Sequence, residues 1–203
     1  MIIWTMQPYE VYQKILEKGI FYCDPRLSFC LKGDDDFQRA YRWMIKQMEN
    51  KFGPTKEKNC YPIWAWYRSH DYKHQHPDFR WVRDYSDEVC MELEIPEEQV
   101  LLSDFEGWHF VLNDWYYSDA TSEVQWDRQE KWFDNLPKDR QQQIKEQSWQ
   151  RIFDITPRKG EWTKNGDVVQ ACFWSINKEQ VQKVWRLQKD KKVQLIKNST
   201  QPK

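Results

Sequence analysis

The sequence predicts one domain of the α+β class. We expect a mixed or antiparallel sheet of about six strands, split into two halves and flanked by helices. Three observations support this prediction. Apolar residues recur at helical spacing in some segments and alternate in others. The chain carries 13 Trp, 10 Tyr and 10 Phe, which can each bury about 150–250 Å². No low-complexity linker interrupts residues 1–188, which we take as a single domain.

A strand, a helix and a second strand are predicted at the start of the chain. Residues 2–7 form an apolar strand. Pro8 is well suited to the first turn of a helix, so we place a helix at residues 8–18. Gly19 favours the end of that helix, because glycine readily adopts the left-handed conformation found there. Residues 20–23 then resume as a short strand.

The clearest predicted helix covers residues 34–52. Aspartates at positions 34–36 favour a helix N-terminus through capping and charge. Apolar residues follow at steps of one, three or four from Phe37 to Phe52, which is the pattern of an amphipathic helix. Gly53 and Pro54 end it.

The remaining elements are predicted from aromatic content, alternation and capping signals. The expected strands are residues 61–68, 88–95, 100–102, 168–176 and 181–187. The expected helices are residues 104–116, opened by a capping box from Ser103 to Glu106, and residues 138–150, opened by Pro137. Residues 189–203 form a basic tail that we expect to be frayed.

Composition excludes several classes of protein. No apolar run approaches the roughly 18 residues of a membrane span, so we expect no membrane partner. The N-terminal segment has no basic region followed by a long apolar one, so a secretory signal is not expected. The five cysteines form no C-x-x-C pair, and an odd count without an export signal favours reduced thiols and a cytoplasmic location. With 31 basic and 32 acidic residues, no global field attracts nucleic acid.

The usual nucleotide-binding and catalytic motifs are missing from the sequence. There is no G-x-S-x-G, Walker motif or G-x-G-x-x-G, and only six glycines occur. A glycine-rich phosphate cradle is therefore excluded, and a nucleotide would be bound by side chains and strand edges. Glu92 and Glu94 are expected to face water from a strand.

Histidines indicate no metal site. His70, His74 and His76 lie in a predicted loop without a second Cys or His pair, so we interpret them as solvated side chains. His109 lies inside an apolar helix beside Trp108, which is typical of a packing residue.

The segment from Trp64 to Arg68 is unusually aromatic. On a strand, Trp64 and Trp66 share one face and Tyr67 the other. We favour a core position for the tryptophans with Tyr67 lining a cleft, although the reverse arrangement remains open. Arg68 is either a strand-end ion pair or a phosphate contact.

Gln170 is a polar residue in a strand that is otherwise apolar and expected to be central. A buried amide needs a hydrogen-bond partner. Gln170 therefore either pairs with neighbouring protein groups or faces a cleft near Thr5 and Gln7, where it would read ribose hydroxyls.

Several sequence blocks together resemble an uncharacterised family of bacterial and phage domains of unknown function. The resemblance covers about residues 1–187. The blocks are Ile3-Trp4-Thr5-x-Gln7, Cys23-Asp24-Pro25, Tyr61–Tyr67, Leu101–Phe105 with Trp108-His109, Ser148-Trp149-x-Arg151-Ile-Phe-Asp154, and Val169-Gln170-Ala171-x-Phe173-Trp174.

The order of elements also resembles ADP-ribosyltransferases of the toxin and RNA 2′-phosphotransferase type. The matching parts are residues 2–7, 11–19 and 20–24 at the start, and the strands at 168–176 and 181–187 near the end. This resemblance implies that NAD or a related nucleotide binds in a cleft and that ADP-ribose is transferred to nucleic acid or protein.

The same resemblance implies roles for individual residues. Trp4, Thr5 and Gln7 occupy the first strand, where such enzymes hold the cofactor. Gln170, or Asp167 at the start of the same strand, lies nearest to the position of their catalytic glutamate. Three further residues are expected to stack on the bases of NAD or pair with its pyrophosphate: Trp66, Tyr67 and Arg68.

Two other classes of function remain open. The first is a non-enzymatic module that binds single-stranded nucleic acid through aromatics interleaved with basic residues. Its candidate residues are Trp64, Trp66, Tyr67, Arg68, Tyr72, Lys73, Arg80, Trp81 and Arg83, and residues 61–83 carry a net charge of +2. The second is a protein-interaction module in phage–host conflict.

Overall fold

The described part of the computed structural model is an α+β domain. It comprises residues 1–27, 35–55, 57, 59–69, 79, 86–158 and 165–199. In these residues, seven strands form one antiparallel sheet, two more form a small second sheet, and five α-helices lie around them. The predicted class is confirmed.

The helices and strands are as follows. The strands are β1 (Ile2–Pro8), β2 (Ile20–Tyr22), β3 (Ile63–Arg68), β4 (Asp87–Glu94), β5 (Leu101–Asp104), β6 (Val169–Phe173), β7 (Ser175–Asn177), β8 (Val181–Gln188) and β9 (Gln194–Asn198). The α-helices are α1 (Tyr9–Lys18), α2 (Asp35–Phe52), α3 (Phe105–Leu112), α4 (Glu123–Asp134) and α5 (Lys138–Ser148).

The large sheet has the order β5-β6-β3-β1-β4-β8-β9, and the small sheet pairs β2 with β7. The two sheets are therefore very unequal, in contrast to the expected halves. Residues 168–176 divide at Trp174 into β6 and β7, which pair in different sheets. This division moves the chain from the large sheet to the small one.

Two helical predictions need correction. The helix expected at 104–116 ends at Leu112, because Asp114 has a φ of 58° that an α-helix does not accommodate. Helix α4 was not expected at all. None of its residues is buried, so it has no apolar stripe to detect, although Ser122 caps its start by accepting from Gln125 N.

The expectation of a frayed tail after residue 188 is wrong for Gln194–Asn198. This segment forms β9, antiparallel to β8, with Trp185 opposite Leu195. Backbone hydrogen bonds to β8 hold it in place. Its side chains are largely exposed, so the segment lacks the apolar alternation that identifies a half-buried strand.

Side chains pack on both faces of the large sheet. We name each face after the helix that covers it, α1 or α2. On the α1 face, the buried residues Ile3, Met91, Ala171 and Phe173 pack with Val11 and Ile15 of α1. On the α2 face, Leu101 and Cys172 pack with Met44 and Met48 of α2 and with Trp108 of α3. Successive residues of the central strands therefore pack in two different cores.

Candidate functional site

A line of directly opposed residues crosses six neighbouring strands on the α2 face. Trp4 lies opposite both Trp66 and Glu92, and Gln170 lies between Trp66 and Ser103. We call the whole set the cross-strand row: Ser103, Gln170, Trp66, Trp4, Glu92 and Lys183. Adjacent strands are about 4.8 Å apart, so the row extends about 14 Å from Gln170 to Glu92.

One end of the row is a buried ion pair. Lys183 Nζ lies 2.8 Å from Glu92 Oε1, and Trp4 Nε1 donates to Glu92 Oε2 at 3.3 Å. Glu92 is only 4% exposed. The expectation that it faces water is wrong, because β4 lies between β1 and β8 and both of its faces are covered. Glu94 is exposed, as expected.

The other end of the row contains two buried polar side chains. Gln170 is 5% exposed and Ser103 is fully buried. Neither Gln170 Nε2 nor Ser103 Oγ has a hydrogen-bond partner within the described residues. Leaving a buried donor unpaired costs about 1–3 kcal/mol, so such groups in a native fold call for an explanation. A bound polar ligand is one.

Trp66 lies in the middle of the row and is half-buried. The Phe105 ring meets it edge-on, with ring centres 5.1 Å apart, and His109 meets Phe105 in turn at 4.8 Å. His109 Nδ1 lies 3.0 Å from the carbonyl oxygen of Phe105. His109 is thus the packing residue that the sequence predicts.

Thr5 and Gln7 lie on the α1 face, opposite to the row. Thr5 is fully buried; its Oγ1 donates to Trp64 O at 2.7 Å and accepts from Gln7 Nε2 at 2.9 Å. The expectation that Gln170 faces a cleft near Thr5 and Gln7 is therefore wrong. Trp4 pairs with Trp66, and a step of one residue along a strand moves a side chain to the other face.

Arg68 and Tyr67 do not join the row either. Tyr67 packs against the core of the α1 face, and a bulge follows Trp66 in the pairing of β3 with β6. Arg68 donates to the carbonyl oxygens of Gly166 and Ile155, and its guanidinium lies 5.6 Å from the Tyr67 ring centre. Arg68 thus binds backbone, where we expected an ion pair or a phosphate contact.

The carboxylate of Asp104, like the side chain of Arg68, binds the backbone of Gly166. Its Oδ2 accepts from Gly166 N at 2.7 Å, and its Oδ1 accepts from Gly107 N at 2.6 Å, which caps α3. Burial raises the pKa of Asp104, although both of these hydrogen bonds act in the opposite direction. Asp104 is a structural acid at the end of β5.

The described residues contain no group of three or more His, Cys, Asp or Glu side chains placed to hold a metal ion. The helices that the structure describes include none long and apolar enough to cross a membrane. Other residues singled out from the sequence lie outside the described ranges: His70, Tyr72, Lys73, His74, His76, Arg80, Trp81 and Arg83.

Sequence reasoning missed Glu92, Lys183 and Ser103. The available signal was the position of Glu92 between the apolar residues Met91 and Leu93. The fold places this strand in the centre of the sheet and covers both of its faces there. The pairing with Lys183 and Trp4 joins residues 91 and 88 positions apart, and no local pattern indicates it.

The fold and the row define an α+β protein with an antiparallel sheet and a buried polar line across one face. The chain belongs to the family described as domain of unknown function (DUF3841), whose model matches residues 2–182. Comparisons with curated proteins and with solved structures give no match.

Proposed function

We propose that this protein binds NAD or a related nucleotide along the cross-strand row, as an ADP-ribosyltransferase-like domain. The observation that carries the proposal is a pair of buried polar groups at one end of the row, Gln170 Nε2 and Ser103 Oγ, which have no hydrogen-bond partner in the part of the chain that the structure describes. They lie directly opposite each other on paired strands, on the same face as Trp66. Two convergent polar groups beside an aromatic ring are what a nucleoside requires.

Each part of the row has a role in this proposal. Gln170 and Ser103 hydrogen-bond ribose hydroxyls. Trp66 stacks on a base, since its ring is half-buried and adjoins Gln170. Glu92 and Lys183 place charge at the far end, about 14 Å from Gln170. A dinucleotide offers two riboses and two bases over such a length.

The chemistry that this set favours is cleavage of the nicotinamide–ribose bond. The bonding electrons leave with nicotinamide, and the ribose carbon becomes an oxocarbenium-like cation. A fixed carboxylate near that carbon stabilises the developing charge. In the proposal Glu92 supplies this negative charge, and Trp4 and Lys183 hold its two oxygens in place. The ADP-ribose then passes to a nucleophile of a nucleic acid or protein.

The test compares two matched glutamine variants. Gln170→Met keeps the side-chain length and removes the amide on the row, whereas Gln7→Met makes the same change on the opposite face. We expect NAD to raise the melting temperature of the wild type and of Gln7→Met, and to have no effect on Gln170→Met. Calorimetric titration of the three proteins with NAD measures directly the loss of affinity that we expect for Gln170→Met.

Release of nicotinamide, measured by chromatography, tests the transfer step separately. Glu92→Gln combined with Lys183→Met, which leaves no unpaired buried charge, should abolish release while NAD binding persists. If NAD neither binds nor shifts the melting temperature of the wild type, the proposal is wrong. If single-stranded RNA binds in its place and Gln170→Met has no effect on that binding, the nucleic-acid alternative is correct.

A further inference from the structure

A cavity of about 480 Å³ lies between the end of α3 and helix α4. It is separate from the cross-strand row and shares no residue with it. Aromatic rings and carboxylates line it: Phe110, Trp115, Tyr116, Trp126 and Phe133, together with Asp114, Glu130 and Asp134. Among the lining residues that the structure describes, three are acidic and none is basic.

The aromatic rings form walls with different orientations. Trp115 and Trp126 each lie 6.2 Å from the Phe110 ring centre, at 77° and 57° to it. Tyr116 and Phe133 stack nearly parallel, with ring centres 4.6 Å apart. Trp115 is 57% exposed, so the cavity opens to solvent beside it. Five rings of different orientation therefore line one cavity that is open to solvent on one side.

The carboxylates differ in their protein partners. Asp114 forms ion pairs with Lys145, whose Nζ lies 2.5 Å from Oδ2, and with Arg39, whose Nε lies 3.5 Å from Oδ1. The side chains of Glu130 and Asp134 make no hydrogen bond or ion pair within the ranges that the structure describes. They are four residues apart on α4, where like charges repel and destabilise a helix. Helix stability therefore does not explain why these two carboxylates lie beside the rings.

We propose that this cavity binds an organic cation that carries a methylated ammonium group. Aromatic faces attract cations through the ring quadrupole, and aromatic boxes bind quaternary ammonium in particular. A methylated ammonium group presents methyl surface to the rings and needs few hydrogen-bond acceptors. The carboxylates of Glu130 and Asp134 add an electrostatic attraction for the cation. A metal ion needs several oxygen ligands around one point, and the carboxylates of the described residues are not placed to hold one.

Two sources offer this group: a small molecule such as choline, and a trimethyllysine side chain of a protein. Both are titrated into the full chain, and tryptophan fluorescence and calorimetry report binding. The controls are the unmethylated lysine peptide and 3,3-dimethylbutanol, which has the shape of choline without its charge. We expect binding of at least one methylated cation and of neither control.

The variants remove charge from the cavity without changing the apolar walls. Glu130→Gln with Asp134→Asn should weaken binding about tenfold, since two nearby charges are lost. The matched control, Glu123→Gln with Asp127→Asn, changes two exposed acids of the same helix outside the cavity and should leave the affinity unchanged.

The outcomes separate the sources and test the proposal. Tighter binding of the peptide identifies methylated lysine as the ligand, and tighter binding of choline identifies a small cation. Equal binding of 3,3-dimethylbutanol would overturn the proposal in favour of a merely apolar cavity. Failure of both methylated cations to bind at millimolar concentration would also overturn it.

Discussion

Arg68 and Asp104 bind the same residue from two sides. Arg68 donates to the carbonyl oxygen of Gly166, and Asp104 accepts from its backbone N–H at 2.7 Å. The two side chains belong to β3 and β5, which lie on either side of β6. Gly166 precedes β6, so this contact fixes where the chain enters the middle of the three strands.

The backbone at Gly166 should tolerate no side chain. Its φ is 76°, and a Cβ there would lie 2.5 Å from the carbonyl oxygen of Ile155. Gly166→Ala should lower the free energy of unfolding by more than the roughly 1–2 kcal/mol of a left-handed alanine. Gly53→Ala is the matched control, because Gly53 has a φ of 79° with no atom within 4 Å of a Cβ. Urea denaturation of both variants measures the difference, and equal losses would contradict the steric argument.

Asp104 should make stability depend on pH in the direction opposite to that of an ion-paired carboxylate. Burial raises its pKa in the folded state above the ordinary 3.8. The unfolded chain therefore releases this proton at lower pH than the folded chain does. The contribution of Asp104 is largest below about pH 4 and falls as the pH rises through the folded pKa.

Urea denaturation of the wild type and of Asp104→Asn at pH 4 and pH 7 isolates this effect. The free energy of unfolding of the wild type should exceed that of the variant by more at pH 4 than at pH 7. A greater advantage at pH 7 would show that the two backbone hydrogen bonds outweigh burial.

The Glu92–Lys183 pair should be costly to break from one side only. Lys183→Met leaves a buried carboxylate with Trp4 as its remaining partner, and we expect a loss of about 3–5 kcal/mol. Adding Glu92→Gln should recover much of that loss, because the uncompensated charge disappears. Lys192→Met, at an exposed site, serves as the control. Chemical denaturation of the set checks this, and a double variant less stable than Lys183→Met would refute the ion-pair account.

Arg68 offers a test that separates structure from ligand binding. Arg68→Met removes the donors to Gly166 and Ile155, so we expect a loss of about 1–3 kcal/mol in the free energy of unfolding. Affinity for NAD, measured calorimetrically well below the unfolding temperature, should stay unchanged. A selective loss of affinity with unaltered stability would support the phosphate-binding role that the resemblance implies.

Local patterns predicted the elements that bury one stripe or one face. Helix α2 was identified from apolar residues between Phe37 and Phe52, and β4 from the alternation of Val89, Met91 and Leu93. Elements with exposed side chains were missed, because α4 and β9 bury too little for a pattern to arise. Hydrogen bonds and capping form such elements without leaving an apolar period in the sequence.

The sequence by itself determined the α+β class, most of the strands and helices, and the presence of polar residues such as Gln170 inside apolar strands. Only the tertiary structure decided which of those residues meet. It placed Gln170 beside Trp66 and Ser103, away from Thr5, and it buried Glu92 against Lys183. The physical reason is strand register: pairing joins residues far apart in the chain, and a shift of one residue exchanges the two faces of a sheet.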